Sequence, residues 1–238
     1  KRKKTTLKNN NKPLFFNLFY NDYKAATPER QAEIDWCFIN NIANENWSLI
    51  FLFGTADDIA SLNLSQRDLE NIVCIYTPRP TFNDYFDCIN EHCSGLNNIN
   101  FICNSDIFIA EATLNECVPY FTTEKLPVML ALTRYDFTNK GETLKFEFFG
   151  REDSQDTWIF NGGVPNSIRC EYTQGMAGID NHLAYLFNNN NFVVKNPSLT
   201  MRTYHFHVSE ERTYLNDKGC LKDGLHIPPP YHLLPPTK

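Results

Sequence analysis

The sequence contains no run of about 18 apolar residues, so no membrane-spanning helix is expected. No apolar signal-peptide core follows the basic opening KRKKTTLK. The eight cysteines, at positions 37, 74, 88, 93, 103, 117, 170 and 220, form no CxxC pair. Zinc-ligand spacing is therefore missing, and a disulfide framework is not expected in a domain of this size. Free thiols in a reducing, cytoplasmic setting are the expectation. No GxGxxG or P-loop pattern follows any predicted strand, which removes the Rossmann dehydrogenases and the P-loop kinases. Positive charge is concentrated in the first eight residues, while the net charge is −6. A basic face on the folded body is not expected, nor is nucleic acid as a partner. The opening, residues 1–12, reads as a solvated tail. The chain starts at Lys1 without a methionine, which fits part of a larger polypeptide as well as a processed protein.

What is present is a globular composition: 42% hydrophobic and 14% aromatic over 238 residues, enough for a sizeable core. PLFFNLFYND (13–22) reads as a buried strand with a polar end. A helix follows in TPERQAEIDWCFINNIAN, with Thr27 as cap, Pro28 at the first position and Ile34, Cys37, Phe38 and Ile42 on one face. WSLIFLFG (47–54) and NIVCIYTPRP (71–80) read as further strands, TFNDYFDCINEHC as a helix, and NINFICNSD (98–106) as a fourth strand. All-apolar strands alternating with helices predict an α/β sandwich around a mainly parallel sheet.

Ligands of such sheets bind beyond the carboxyl ends of the strands. Those ends carry Asn21 and Asp22, Gly54, Arg79, and Asn104, Ser105 and Asp106. In the second half, PVMLALTRYDF (127–137), LKFEFFG (144–150), FVVKNP (192–197) and LTMRTYHFHVS (199–209) read as strands. SQDTWIFNGG (154–163) is mixed, and Asp180 opens a helix with Leu183, Ala184, Leu186 and Phe187 on its apolar face. The proline-rich IPPPYHLLPP lies in a segment, 217–238, expected as a tail or linker.

The order of these signals, NSD at a strand end, then GIDNHLAYLF, FVVKNP and HFH, resembles the nucleotide-sugar glycosyltransferases of the GT-A fold, glycosyltransferase family 2-like. The similarity covers roughly residues 13–214, within an expected domain of 13–216. It implies a GT-A-like three-layer α/β/α sandwich. In that family a DXD-type motif ends a strand, an acidic residue opens a later helix, and a histidine follows on a strand. Here NSD, Asp180 and His205 or His207 take those places, with Asn104 standing for the first Asp and Ile179 for the Glu that usually precedes the helix acid.

The resemblance implies transfer of a sugar from a nucleoside-diphosphate sugar, with UDP favoured, to an acceptor hydroxyl; inversion is favoured because Asp180 can act as base, with retention the alternative. It implies a divalent cation, Mn2+ or Mg2+, on Asp106 with His205 or His207, since the leaving diphosphate needs its charge neutralised. Asn21, Arg79, Asn104, Ser105, Asp106 and Asp153 are the expected donor contacts, and Asp180 and Asp156 the catalytic carboxylates. The acceptor can be a glycan, a lipid-linked sugar or a protein.

Each residue has a plainer reading. Asp106 can be a turn residue, Asp180 a helix cap, Asp153 and Asp156 a solvated loop, and Arg79 a partner of Asp84. His205 and His207, two apart on a strand, are expected on opposite faces, with His205 the ligand. The rival functions are a sugar nucleotidyltransferase and a non-catalytic carbohydrate-binding module. The first usually needs a glycine-rich basic loop after the first strand, and FYNDYKAATPER is not one.

Overall fold

The structure, a computed structural model, describes residues 8–9, 12–62, 64–66, 68–139, 144–209 and 226–238. Cys220, the expected boundary at 216 and most of the expected basic tail lie outside the described residues. Of that tail, β1 (Lys8–Asn9) pairs antiparallel with β2 (Lys12–Pro13).

The first half alternates as its apolar runs require: β3 (Phe15–Asn21), α1 (Pro28–Ile42), β4 (Trp47–Phe53), α2 (Ala56–Ser61), β5 (Ile72–Ile75), α3 (Phe82–His92), β6 (Asn98–Cys103). Then come β7 (Ile107–Ile109), α4 (Glu111–Thr123), β8 (Val128–Leu132), β9 (Tyr135–Asn139), β10 (Leu144–Phe148) and β11 (Thr157–Asn161). The chain continues through α5 (Ile179–Asn188), β12 (Val193–Lys195) and β13 (Thr203–His205). A seven-stranded sheet in the order β12-β8-β11-β6-β3-β4-β5 forms the centre. Its β6, β3, β4 and β5 run parallel, and β11 is antiparallel to both of its neighbours.

Both faces of this sheet are covered, which explains why its strands are mostly apolar, with the buried Asn17 and Asn100 hydrogen-bonded to each other across β3 and β6. Phe16, Leu18 and Tyr20 point to one face with Phe38 of α1 and Leu114 and Cys117 of α4. Phe19, Phe51 and Phe53 point to the other, with Phe82, Tyr85 and Phe86 of α3 and Leu183, Ala184 and Phe187 of α5. The result is the expected three-layer α/β/α sandwich. Caps fix where the helices begin: Thr27 accepts from Arg30 N at 3.3 Å, and Thr81 and Asp84 form a reciprocal capping box at α3.

A second sheet, β10-β9-β13-β7, stands beside the first. Two of the segments that cross from one sheet to the other are short turns. The turn Asn104–Asp106 joins β6 to β7, and Thr133 and Arg134 join β8 to β9. The run 127–137, expected as one strand, is therefore two, because an apolar run carries no mark of where the chain changes sheets. The strand expected over 199–209 is confined to Thr203–His205. Residues 226–238, expected as a tail or linker, lie on the body, where Ile227 and Leu234 are buried and their N–H groups donate to Ala177 and Glu152 carbonyls. Among the described residues no helix is long and apolar enough to cross a membrane.

Candidate active site

The crossing turn after β6 is pinned from three sides. Ile107 N–H closes it on the Asn104 carbonyl at 3.1 Å. Ser105 Oγ donates to the Asn21 carbonyl at 2.6 Å, and the buried Tyr20 hydroxyl donates to the Ser105 carbonyl. Asn104 Nδ2 donates to Asp156 Oδ1 at 2.9 Å. Held this way, the turn aims Asp106 into the seam between the sheets, where it is buried.

There Asp106 meets two cations. Its Oδ2 lies 2.5 Å from Arg30 Nη2, contributed by α1, and 3.0 Å from His205 Nε2, contributed by β13. The other imidazole nitrogen, Nδ1, lies 2.8 Å from Asp136 Oδ1 on β9. Arg134 then bridges Asp136 at 2.8 Å and Asp156 at 2.9 Å. At the opposite end, Arg30 Nη1 pairs with Glu33 at 2.8 Å. The seam thus carries one continuous series of alternating charge: Glu33, Arg30, Asp106, His205, Asp136, Arg134, Asp156.

Alternation sets the protonation states. Burial alone would raise Asp106, but His205 and Arg30 outweigh it and hold the carboxyl well below the usual range. Burial would lower His205, and the carboxylates on its two nitrogens push it up to about 9 instead. Asp136 and Glu33 are likewise held low despite burial, chiefly by His205 and Arg134 for the first and by Arg30 for the second.

His205 and His207 do not part to opposite faces. Strand β13 ends at His205, so strict alternation no longer governs His207, and the two rings stand 5.4 Å apart. His207 Nδ1 comes to 3.9 Å from Asp106 Oδ2. Ligand atoms of Asp106, His205 and His207 all fall within 4.8 Å of one another. One carboxylate oxygen and two imidazole nitrogens are a donor set for a divalent transition-metal ion. Asp136 behind His205 supplies the carboxylate that orients a ligating imidazole. These residues fit a divalent cation whose binding releases the Nε2 proton of His205.

Asp180 lies in the first turn of α5 but does not cap it. The cap position is Gly178, with φ of 89° and no side-chain bond to the helix. The plainer reading of Asp180 as a cap is thereby removed. Burial, reinforced by the neighbouring Asp156 charge, raises the Asp180 carboxyl well above the ordinary range, although Gln155 N–H donates to it. Asp156 is buried, and its carboxylate is already engaged by Arg134 and Asn104. Asp153 sits at the surface in a bidentate pair with Arg151, at 2.6 and 2.8 Å. Arg79 is exposed beyond β5, while Asp84, its alternative partner, accepts from Thr81 N–H at 2.7 Å.

Four residues of the seam had no place in the expected site: Arg30, Glu33, Arg134 and Asp136. Arg30 and Glu33 did leave a signal. They fall in register with the buried stripe of α1, Ile34, Cys37, Phe38 and Asn41, where charge is out of place. Asp22, at the end of β3, is buried 1% exposed, and burial together with Asp35 and Asp58 raises it to about 7. Gly54 is required beside it, because a Cβ there would lie 3.0 Å from the Asp22 carbonyl. Asn21 Oδ1, Asp22 Oδ1 and Asn104 Oδ1 are buried without a hydrogen-bond partner, all at the carboxyl ends of the parallel strands. Unpaired buried acceptors are rare in folded proteins and concentrate where a ligand belongs.

No protein-family model and no curated protein matches the sequence. Solved structures match the fold. The mannosyltransferase PcManGT from Pyrobaculum calidifontis, in complex with GDP-Man and Mn2+, aligns over 89% of this chain and 62% of its own, with 10% identity and a TM-score of 0.52. TarS from S. aureus, residues 1–349 in complex with UDP-GlcNAc, aligns over 84% of this chain and 60% of its own, with 10% identity and a TM-score of 0.52. The fold is that of the GT-A nucleotide-sugar glycosyltransferases. This chain spans about three fifths of the length of these two structures.

Proposed function

We propose that the chain is a metal-dependent glycosyltransferase that moves a sugar from a nucleoside-diphosphate sugar, with UDP favoured, to an acceptor hydroxyl with inversion. The observation that carries this reading is the meeting of Asp106, His205 and His207 at one carboxylate oxygen, beyond the carboxyl ends of parallel strands. A divalent cation there, Mn2+ or Mg2+, supplies charge neutralisation to the leaving diphosphate. Asp106 and the two histidines hold it, and Asp136 fixes the His205 tautomer through Nδ1.

The nucleoside end of the donor belongs at the ends of β3 and β6. Asn21, Asp22 and Asn104 offer acceptors there to hydroxyl or amide donors. Asp180 is the general base. A carboxyl raised by burial is a stronger proton acceptor once ionised than one held down by an ion pair. Asp156 positions Asn104 and the crossing turn through its fixed pairs with Arg134 and Asn104. Nucleotidyl transfer is less well supported, since no glycine-rich basic loop follows β3 and α1 begins at once after a short polar link.

The test is turnover of a panel of UDP- and GDP-sugars with Mn2+, read as release of the nucleoside diphosphate. Release by the wild type, abolished by EDTA and by Asp106→Ala, is expected. Full activity in excess EDTA contradicts the cation's role, and pyrophosphate release from a nucleoside triphosphate and a sugar phosphate contradicts sugar transfer.

A further inference from the structure

One atom, Asp106 Oδ2, is addressed by three groups: Arg30 Nη2 at 2.5 Å, His205 Nε2 at 3.0 Å and His207 Nδ1 at 3.9 Å. The imidazoles complete a donor set for a divalent cation. Arg30 cannot belong to such a set, because a guanidinium is a permanent cation with donors only. It occupies the oxygen that a metal would need, and the ion's double charge would be added beside the guanidinium at one buried carboxylate oxygen.

Arg30 has somewhere else to go. Its Nη1 already donates to Glu33 Oε2, one turn further along α1. Glu33 is itself fixed: its carboxylate accepts from Val208 N–H at 2.7 Å, Ser209 N–H at 2.6 Å and Ser209 Oγ at 3.0 Å. A guanidinium that lets go of Asp106 therefore keeps a well-held anion and need not be left buried and unpaired.

We propose that Arg30 is the resident counter-cation of Asp106, occupying the divalent ion's place in the metal-free protein and withdrawing onto Glu33 when the ion binds. This rests on the reading of Asp106, His205 and His207 as a cation site. Arg30 has two opposed effects. It keeps Asp106 ionised and aimed before the cation arrives, since a buried carboxylate without a partner is costly. It also weakens cation binding, because it must be displaced.

The experiment is Mn2+ binding without nucleotide, read by electron paramagnetic resonance of the free ion, on folded wild type, Arg30→Gln, Arg30→Lys, Glu33→Gln and Asp106→Asn. Removing the competing charge in Arg30→Gln is expected to tighten Mn2+ binding by about tenfold or more, while Arg30→Lys keeps the charge and stays near wild type. Glu33→Gln, which weakens the place of withdrawal, is expected to loosen binding several-fold. Should Arg30→Gln fail to fold, Glu33→Gln decides alone: looser binding supports the exchange, and unchanged binding overturns it. If the wild type binds Mn2+ through Asp106 but Arg30→Gln binds no more tightly, Arg30 is only a structural partner and the cation site stands. If Mn2+ binds to neither at millimolar concentration, or Asp106→Asn binds as well as wild type, the cation site itself is wrong and the exchange falls with it.

Discussion

Asp106 and Asp180 carry the same side chain into the same region and are driven in opposite directions. Asp106 is flanked by Arg30 and His205 and is held ionised far below its ordinary range. Asp180 is half-buried at a helix start beside the Asp156 charge, and its proton is retained to higher pH. Carboxylates separated in this way divide labour: one holds positive charge in place and the other exchanges a proton. The division follows from topology. Asp106 sits where the chain crosses between sheets and meets cations from α1 and β13, whereas Asp180 enters from α5 on the far side of Arg134 and Asp156.

The largest effect is expected from breaking the Asp106 side. Asp106→Ala breaks two buried pairs at once, leaving Arg30 with Glu33 alone and His205 with Asp136 alone, and loss of about 3–5 kcal/mol of unfolding free energy is expected in urea melts. A loss below about 1 kcal/mol, the range of exposed pairs, would show that the seam is wet and the pairs weak. Asp180→Asn is the counterpart. With no cap bond to lose, its melting temperature is expected to stay within a few degrees of wild type or to rise. A drop of the size seen for lost caps, about 1 kcal/mol, would return Asp180 to a structural role.

How much of this contrast the sequence disclosed depends on the residue. Apolar runs marked the strands of the central sheet, and NSD at the end of one of them marked Asp106. The partners of Arg30 and Arg134 were hidden for a physical reason. Arg30 falls on the buried stripe of α1, but its pairing with Asp106, 76 residues away, leaves no mark in the local sequence, and the fold alone brings Arg134 to Asp156. The end of β13 was hidden too, since TYHFHVS alternates well enough to continue as a strand, and its early end is what brings His207 round to Asp106. Helix α4 lacks ordinary signals: Pro119 lies inside it and no side chain caps its start. Asp22 looked like a polar strand end, and its depth comes from the close approach of Gly54.

Asp22 sharpens the comparison at a third carboxyl, raised from 3.8 to about 7 in the folded chain. A carboxyl with a raised folded pKa favours the fold below its unfolded pKa, near 4, and that contribution is lost as pH rises through about 7. Asp22→Asn is therefore expected to match wild type near pH 4 and to exceed its stability by about 2–4 kcal/mol at pH 8, by denaturant titration at both values. Equal stability at pH 8 would mean that Asp22 ionises freely. The smallest effect belongs to the exposed pair of Arg151 and Asp153, where Arg151→Ala is expected to change stability by less than about 1 kcal/mol. A larger loss would make that loop part of the buried series.

The division of labour between Asp106 and Asp180 is tested most directly by measuring donor binding and donor turnover together in wild type, Asp106→Asn and Asp180→Asn, with Mn2+ present. Asp106→Asn is expected to lose nucleotide-sugar binding. Asp180→Asn is expected to bind the donor as wild type does while turnover falls by about 10²–10⁴-fold, the usual contribution of a general base. Turnover by Asp180→Asn at near the wild-type rate, with the donor bound normally, would contradict the assignment.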